Sequence, residues 1–238
     1  MAIGKEILEL EEMICYKFSD ISLLEAALTH SSYTNEQRSK GFVAVSNERL
    51  EFLGDAVLQM VISEYLYSSF KKYREGALTK MRQHLVCEKT LAKIASTVNL
   101  GLYVNLGHGE EMTDCRNRPK ILADALEALI AAVYIDSSSR GGEEYKDVVL
   151  RLFEKEISNA STMQKTDYKT LLQQLAEQDG AAVLEYRVVD ERGPEHKKTF
   201  TVVALINNNE VGRGSAATKK NAEMQAAKQA LSLFGVQV

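Results

Sequence analysis

Apolar residues along the first two thirds of the chain recur at the three- and four-residue spacing of amphipathic helices. This spacing predicts helices over residues 6–18, 21–32, 47–70, 78–98, 121–135 and 143–157. The stretch 99–119 is rich in glycine and polar residues and predicts a loop, as does the polar stretch 39–46. This part of the chain is therefore predicted to be all-α.

The pattern changes after residue 158. The polar stretch 159–165 lacks apolar periodicity and predicts a linker. One apolar helix face then precedes three stretches in which apolar and polar residues alternate, and a helix closes the chain. The predicted organisation is an all-α domain over 1–158, a linker over 159–165 and a small α+β domain of order α-β-β-β-α over 166–238.

The distribution of charged residues along the chain excludes a basic tail as the means of binding nucleic acid. The chain has 29 Lys and Arg against 33 Asp and Glu, a net charge of −4. Residues 165–238 carry 10 basic and 9 acidic residues, so neither part is strongly basic. Any binding to nucleic acid has to come from individually placed residues.

Cysteine usage and the N-terminal segment indicate a cytoplasmic protein. Cys15, Cys87 and Cys115 are widely spaced and form no CxxC pattern, which is typical of reduced thiols. Acidic residues interrupt the apolar residues near the N-terminus, unlike a signal peptide. The longest uncharged apolar run, 128–135, is far shorter than the ~20 residues that a membrane span needs. We therefore expect no membrane partner.

Carboxylates lie at helical spacing in two of the predicted helices. Glu48, Glu51 and Asp55 have offsets of 0, 3 and 7, which place them within roughly 60° of one another. Asp124 and Glu127 lie three residues apart in an otherwise apolar segment. Acids on helices commonly face solvent or form salt bridges. Two carboxylates in so apolar a segment, however, need a charge, hydrogen bonds or a metal ion as partner.

Convergence of these two groups on a divalent cation is the interpretation that the residue types favour. Carboxylate oxygens suit Mg2+, with Mn2+ as a substitute, rather than Zn2+, because no His or Cys lies nearby at ligand spacing. A di-iron carboxylate bundle needs Glu-x-x-His pairs. That pattern is missing after Glu48, Glu51, Glu75 and Glu127.

Four segments resemble the bacterial ribonuclease III family. Residues 47–58 (NERLEFLGDAVL) are similar to the signature helix of the family, and 75–82 (EGALTKMR) and 121–129 (ILADALEAL) to its second and third acidic motifs. Residues 28–33 (LTHSSY) match a segment further upstream. Ala131 departs from the family, whose bacterial members often have glycine there, and we expect an effect on helix packing at most.

The resemblance implies a metal-dependent endonuclease that cuts double-stranded RNA. Glu51, Asp55, Asp124 and Glu127 would hold the metal, with Asp55 and Glu127 catalytic and Glu48 and Glu75 accessory. Two ions would activate a water and stabilise the leaving 3′ oxygen. The products would be 5′-phosphate and 3′-hydroxyl ends with short 3′ overhangs, from ribosomal RNA precursors and other structured transcripts.

The same resemblance implies a homodimer in which Phe52 enters a cavity of the partner subunit. An ordinary core aromatic remains the alternative for Phe52.

The last 70 residues resemble a double-stranded-RNA-binding domain in element order and in segment 212–223 (GRGSAATKKNAE). Glycines before a Thr cap and a Lys pair are expected to present N–H and ammonium groups to phosphate at a helix N-terminus. A solvated helix start is the alternative for the lysine pair alone. By the resemblance, two minor grooves and the phosphates between them would be contacted by Thr170, Gln173, Gln174, Pro194, His196, Thr218, Lys219 and Lys220.

Two hypotheses about function follow. In the first, the protein is an enzyme that hydrolyses double-stranded RNA. In the second, the same fold holds or remodels RNA without cutting it, as in relatives that have lost the acidic cluster. All six carboxylates that the family uses are present, which favours the enzyme.

Overall fold

The computed structural model describes residues 3–71, 73–113, 115–165, 168–178, 182–194 and 198–236. The chain divides into two units, with the boundary after Ala160. The first unit is helical, and the second combines helices with a three-stranded sheet, which confirms the predicted fold class. Within the described ranges, no helix combines the length and the apolar composition of a membrane span.

Nine α-helices begin in the described part of the first unit, and two 3-10 turns (Leu100–Leu102 and Cys115–Asn117) interrupt the long connection before α8. The helices are α1 (Ile3–Ile14), α2 (Ile21–Ala27), α3 (Ser31–Ser39), α4 (Glu48–Ser69), α5 (Glu75–Leu85), α6 (Glu88–Thr97), α7 (His108–Glu111), α8 (Pro119–Ser139) and α9 (Glu144–Lys165).

Helices α4 and α8 form the centre of the first unit. Their apolar positions supply fully buried side chains to one core, among them Leu58, Ile62, Leu126 and Leu129. The sequence pattern placed both helices within one or a few residues of their observed ends, because long periodic apolar faces are a strong signal. These two helices also carry the carboxylates.

Two predicted helices are each split in the structure. The prediction over 21–32 is wrong after Ala27, because Thr29 pairs with Asn105 in a β-bridge and His30 caps a new helix by accepting from the Ser32 backbone N–H. The prediction over 78–98 is wrong at Val86 and Cys87. There the Thr90 hydroxyl donates to the His84 carbonyl (2.7 Å) and closes α5 before α6 begins.

Helix α9 is longer than predicted. The sequence pattern ended it at 157 and placed a linker over 159–165, whereas the observed helix continues to Lys165. The segment is polar but contains no Gly or Pro, and Ala, Met, Gln and Lys have high helix propensity. Loss of apolar periodicity therefore marks the end of the first unit, at Ala160, but not the end of the helix.

A buried carboxylate ties the N-terminal segment to the end of α8. Asp136, 1% exposed, accepts hydrogen bonds from the Tyr16 hydroxyl (2.7 Å) and from the backbone N–H of Asp20 (2.8 Å). Burial alone would raise the pKa of Asp136, but these hydrogen bonds outweigh it and the pKa is lowered. Burial and the hydrogen bond to Asp136 raise the pKa of Tyr16 to about 12.

The second unit has the predicted order of one helix, three strands and one helix. Its elements are α10 (Tyr168–Gln178), β1 (Leu184–Arg192), β2 (Thr199–Ile206), β3 (Asn209–Ala216) and α11 (Lys219–Leu233). The strands form an antiparallel sheet in the order β1-β2-β3. Its core combines Leu172 of α10 and Ala204 of β2 with Ala226, Ala227 and Leu231 of α11.

Candidate functional site

A glycine on α4 lets the two carboxylate-bearing helices touch. A β-carbon added to Gly54 would lie 1.8 Å from the backbone oxygen of Glu127 on α8, a distance that no side chain allows. The α4 and α8 backbones are therefore in direct contact one residue before Asp55 and at Glu127. This contact brings the acidic stripe of α4 to the acidic pair of α8.

Three carboxylates converge at this crossing. One oxygen from each of Glu51, Asp124 and Glu127 lies within 4.8 Å of the other two. Burial, followed by repulsion from Asp55, Glu51 and Asp124, raises the pKa of Glu127 to about 7. Burial and the charge of Asp124 also raise the pKa of Glu51. The group therefore concentrates negative charge that a cation would stabilise.

Asp55 lies beside this group but its carboxylate has another partner. Of the neighbouring charges that raise the pKa of Glu127, the charge of Asp55 has the largest effect. Both of its carboxylate oxygens accept from the Gln59 amide nitrogen, at 2.9 and 3.0 Å. Of the four predicted metal ligands, the structure thus brings three together and places Asp55 next to them, held by Gln59.

The two accessory acids lie further out. Glu48 is exposed, accepts from the Ser46 hydroxyl (2.8 Å) and acts on Glu51 through its charge. Glu75 begins α5, accepts from the Thr79 hydroxyl (2.9 Å) and lines a cavity between α4 and α5. Among the described residues, neither acid belongs to the group that Glu51, Asp124 and Glu127 form.

Sequence reasoning missed two polar residues that contact the carboxylates. Lys120 forms an ion pair with Asp124, with its Nζ 3.0 Å from Oδ2. Gln59 holds Asp55. Both lie four residues from the acid that they contact, and this helical spacing was the available signal.

The donor set fits a hard divalent cation. Carboxylate oxygens from two helices converge at the α4–α8 crossing, and none of the three grouped residues offers nitrogen or sulfur. Such a set favours Mg2+ or Mn2+ over Zn2+.

Phe52 is exposed, so its alternative interpretation as a core aromatic is wrong. Its exposed fraction is 82%. It begins a stripe along α4 that continues through Ala56 and Met60 to Tyr67, all exposed. These residues recur at helical spacing and form an apolar face that the described part of the first unit does not cover.

The start of α11 has the expected cap and two exposed lysines. The Thr218 hydroxyl accepts from the Asn221 backbone N–H (3.2 Å), and Lys219 and Lys220 follow on the first turn. The preceding glycines do not lie at the helix N-terminus, where the sequence pattern predicts that they present N–H groups. Gly212 and Gly214 lie in β3, where a β-carbon would come 2.3 Å and 2.4 Å from backbone oxygens of α11. They serve close strand–helix packing instead.

Side-chain contacts connect β2 and α10 with the first turns of α11. Lys219 lies over the ring of Phe200 at the start of β2, and Pro194, which follows β1, is exposed. Lys169, next to Thr170 on α10, pairs with Glu223 on the first turns of α11 (2.5 Å). Gln173 is exposed and donates to Glu177, and Gln174 is partly exposed. His196 lies outside the described residues.

Family models cover both units. The model described as "Ribonuclease-III-like" matches residues 20–157, which include both acidic helices. The model described as "Double-stranded RNA binding motif" matches residues 168–233, from α10 to the end of α11.

Close relatives span nearly the whole chain. A ribonuclease 3 of Caldanaerobacter subterraneus is 45% identical over 95% of this chain and 97% of its own length, and one of Listeria monocytogenes is 41% identical over 94% and 96%. A solved nuclease domain of ribonuclease III from Campylobacter jejuni covers 62% of this chain and 95% of its own, with 44% identity and a TM-score of 0.55. The chain therefore belongs to the ribonuclease III family of double-stranded-RNA endoribonucleases.

Proposed function

We propose that this chain cleaves double-stranded RNA by hydrolysis at a divalent-metal centre formed by Glu51, Asp55, Asp124 and Glu127. The observation that carries the proposal is the convergence of three of these carboxylates, with Asp55 beside them, at the α4–α8 crossing. Repulsion among these carboxylates is destabilising in a partly buried site, and a bound cation relieves it. Mg2+ is the proposed ion, with Mn2+ as a substitute.

The chain's own residues have simple roles in this scheme. Glu127 and Asp55 lie at the reacting centre, and Glu51 and Asp124 complete the ligand set. Burial and the negative charge of its neighbours raise the pKa of Glu127, so a bound cation would stabilise its charged form. Cations bound there would supply a water nucleophile at neutral pH and stabilise charge on the displaced 3′ oxygen. We propose 5′-phosphate and 3′-hydroxyl products with short 3′ overhangs, and ribosomal RNA precursors and other structured transcripts as substrates.

We also propose that two copies pair through the apolar stripe of α4. The solved nuclease domain from Campylobacter jejuni has a region involved in dimer formation. In this chain, Phe52 and Tyr67 lie at the two ends of the exposed stripe, about 22 Å apart at 1.5 Å per residue. In a two-fold pair centred near Met60, each Phe52 faces the Tyr67 end of the other copy, because an isologous interface uses the same surface twice.

A cavity at the Tyr67 end supports this pairing. It has a volume of about 1010 Å3 and is lined by Tyr67, Phe70, Tyr73 and Leu78, among others, so it can take the ring of Phe52 from a second copy. Glu75 lines the same cavity. The pairing therefore brings Glu75 of the second copy towards Glu51, which accounts for its distance from the carboxylates within one chain.

In the second unit, RNA contacts are proposed for residues at the start of α11, on α10 and after β1. Lys219, Lys220 and the capped first turn would contact phosphates across the major groove. Thr170, Gln173 and Gln174 on α10 would face one minor groove, and Pro194 and His196 the next.

A cleavage assay on a long RNA duplex tests the proposed chemistry. We expect cutting of the duplex with Mg2+, none with EDTA, and none of a single-stranded control. Glu127→Gln should abolish cleavage while it leaves duplex binding largely intact, because the RNA-binding residues lie in the other unit. If Glu127→Gln cuts at the parental rate, the ligand assignment is wrong. Binding without cutting in any divalent metal would favour the non-catalytic hypothesis.

A further inference from the structure

Lys120 contacts the carboxylate group from its rim. It lies on the first turn of α8, one turn before Asp124, and its Nζ is 3.0 Å from Oδ2 and 3.3 Å from Oδ1. The Lys120 side chain is 72% exposed, whereas that of Asp124 is only 18% exposed. The ammonium thus reaches inward from solvent and bonds to both oxygens of a proposed metal ligand.

The charge of Lys120 acts on more than its direct partner. Oxygens of Glu51 and Glu127 lie within 4.8 Å of an oxygen of Asp124, so the ammonium that bonds to both Asp124 oxygens lies close to the whole group. All three carboxylates of the convergent group therefore interact favourably with one ammonium.

We propose that Lys120 is a competing counter-ion of the metal centre, an inference that rests on the proposed metal-dependent function. Its ammonium occupies the Asp124 oxygens and offsets the repulsion among the carboxylates. A divalent cation that binds these oxygens has to displace the ammonium or accept its repulsion at short range. Lys120 thereby weakens the affinity for metal and keeps the carboxylates together without it.

An ordinary surface ion pair at i,i+4 spacing predicts a different result. Such a pair contributes little to stability and nothing to metal binding. The structure offers a matched control in Lys93, an exposed lysine on α6 that pairs with Glu156 (2.7 Å). Lys93→Met removes the same charge and the same kind of contact from another place on the first unit.

The test is calorimetric titration of the whole chain, free of RNA, with Mg2+. We expect Lys120→Met to lower the Kd for Mg2+ by about two- to fivefold, the range that an exposed ion pair supports. Lys93→Met and the charge-preserving Lys120→Arg should keep the Kd close to the parental value. Lys120→Met should also show a larger rise in melting temperature on addition of Mg2+, because tighter binding stabilises the folded state further.

The outcomes separate this inference from the proposed function. If the parent binds Mg2+ and Glu127→Gln does not, the metal centre stands. A Lys120→Met Kd that is unchanged or weaker then overturns the counter-ion role alone. If the parent and Glu127→Gln give the same titration, the metal centre itself is wrong. Lys120→Gln, which also removes the charge, replaces Lys120→Met if that variant does not fold.

Discussion

Gly54 of α4 lies against the backbone carbonyl of Glu127 of α8, so closely that a β-carbon would come within 1.8 Å of the Glu127 oxygen. One residue after this contact, α4 presents Asp55, and the contact partner itself is a member of the convergent carboxylate group. The same approach of two backbones therefore builds the core and assembles the site.

Gly54→Ala should separate these helices. Because the obstruction is backbone rather than a flexible side chain, we expect a loss of about 3 kcal/mol in the free energy of unfolding. Urea unfolding measures it. Gly76→Ala on α5 is the control, since nothing lies within 4 Å of its added β-carbon and alanine is the better helix former by up to ~1 kcal/mol. Equal stability of the two variants would contradict the close approach.

Glu127 should make the stability of the protein depend on pH in the absence of metal. Its pKa is raised from 4.5 to about 7, so between these pH values the folded state binds more protons than the unfolded state. Stability therefore falls as pH rises through this window. Since the side chain is only partly buried and solvent screens the repulsion, we expect a loss of about 1 kcal/mol.

Urea unfolding of Glu127→Gln at pH 5, 6.5 and 8, in EDTA, measures this effect. The variant should match the parent most closely at pH 5 and be the more stable protein at pH 8. The same substitution at exposed Glu154 on α9 controls for the loss of one carboxylate. If the difference in free energy of unfolding between Glu127→Gln and the parent does not change with pH, the proposed repulsion between Glu127 and its neighbouring carboxylates is wrong.

Periodicity predicted which residues could meet but not how their side chains point. Offsets of 0, 3 and 7 put Glu51 and Asp55 on one face of α4, and the structure confirms that both lie next to Glu127. Asp55 accepts a hydrogen bond from Gln59, and Asp124 forms an ion pair with Lys120. These contacts depend on side-chain rotamers, which a helical repeat does not specify.

Long-range contacts explain the other departures from the sequence predictions. The helix predicted over 21–32 ends early because Thr29 pairs with Asn105, 76 residues away, which local propensity could not anticipate. The sequence alone predicts that Gly212 and Gly214 help to present N–H groups to phosphate at the N-terminus of the last helix. They pack against the backbone of α11 instead, and this contact depends on how β3 and α11 lie against each other, which the local sequence does not specify.

Phe52→Asp should convert the proposed dimer to monomer. The short aspartate side chain cannot make the apolar contacts that the Phe52 ring would make with Tyr67, Phe70, Tyr73 and Leu78 of a second copy, so the stabilisation from burying that ring is lost. Sedimentation velocity measures the change in mass. Leu102→Asp is the control, because Leu102 is also a large exposed apolar residue of the first unit but lies on a 3-10 turn outside the stripe. If Phe52→Asp and the parent sediment alike, α4 is not the interface.

Lys219→Ala combined with Lys220→Ala should weaken binding to duplex RNA about equally for all sequences, because phosphate contacts carry no base information. Each lost contact makes the salt dependence less steep by about one unit in log K against log salt, so we expect a change of about two units. Fluorescence anisotropy at several salt concentrations measures it. Lys228→Ala removes a positive charge from the same helix, where Lys228 lies over the ring of Tyr168, and should leave the slope nearly unchanged. A double variant with the parental slope would exclude the start of α11 from the RNA interface.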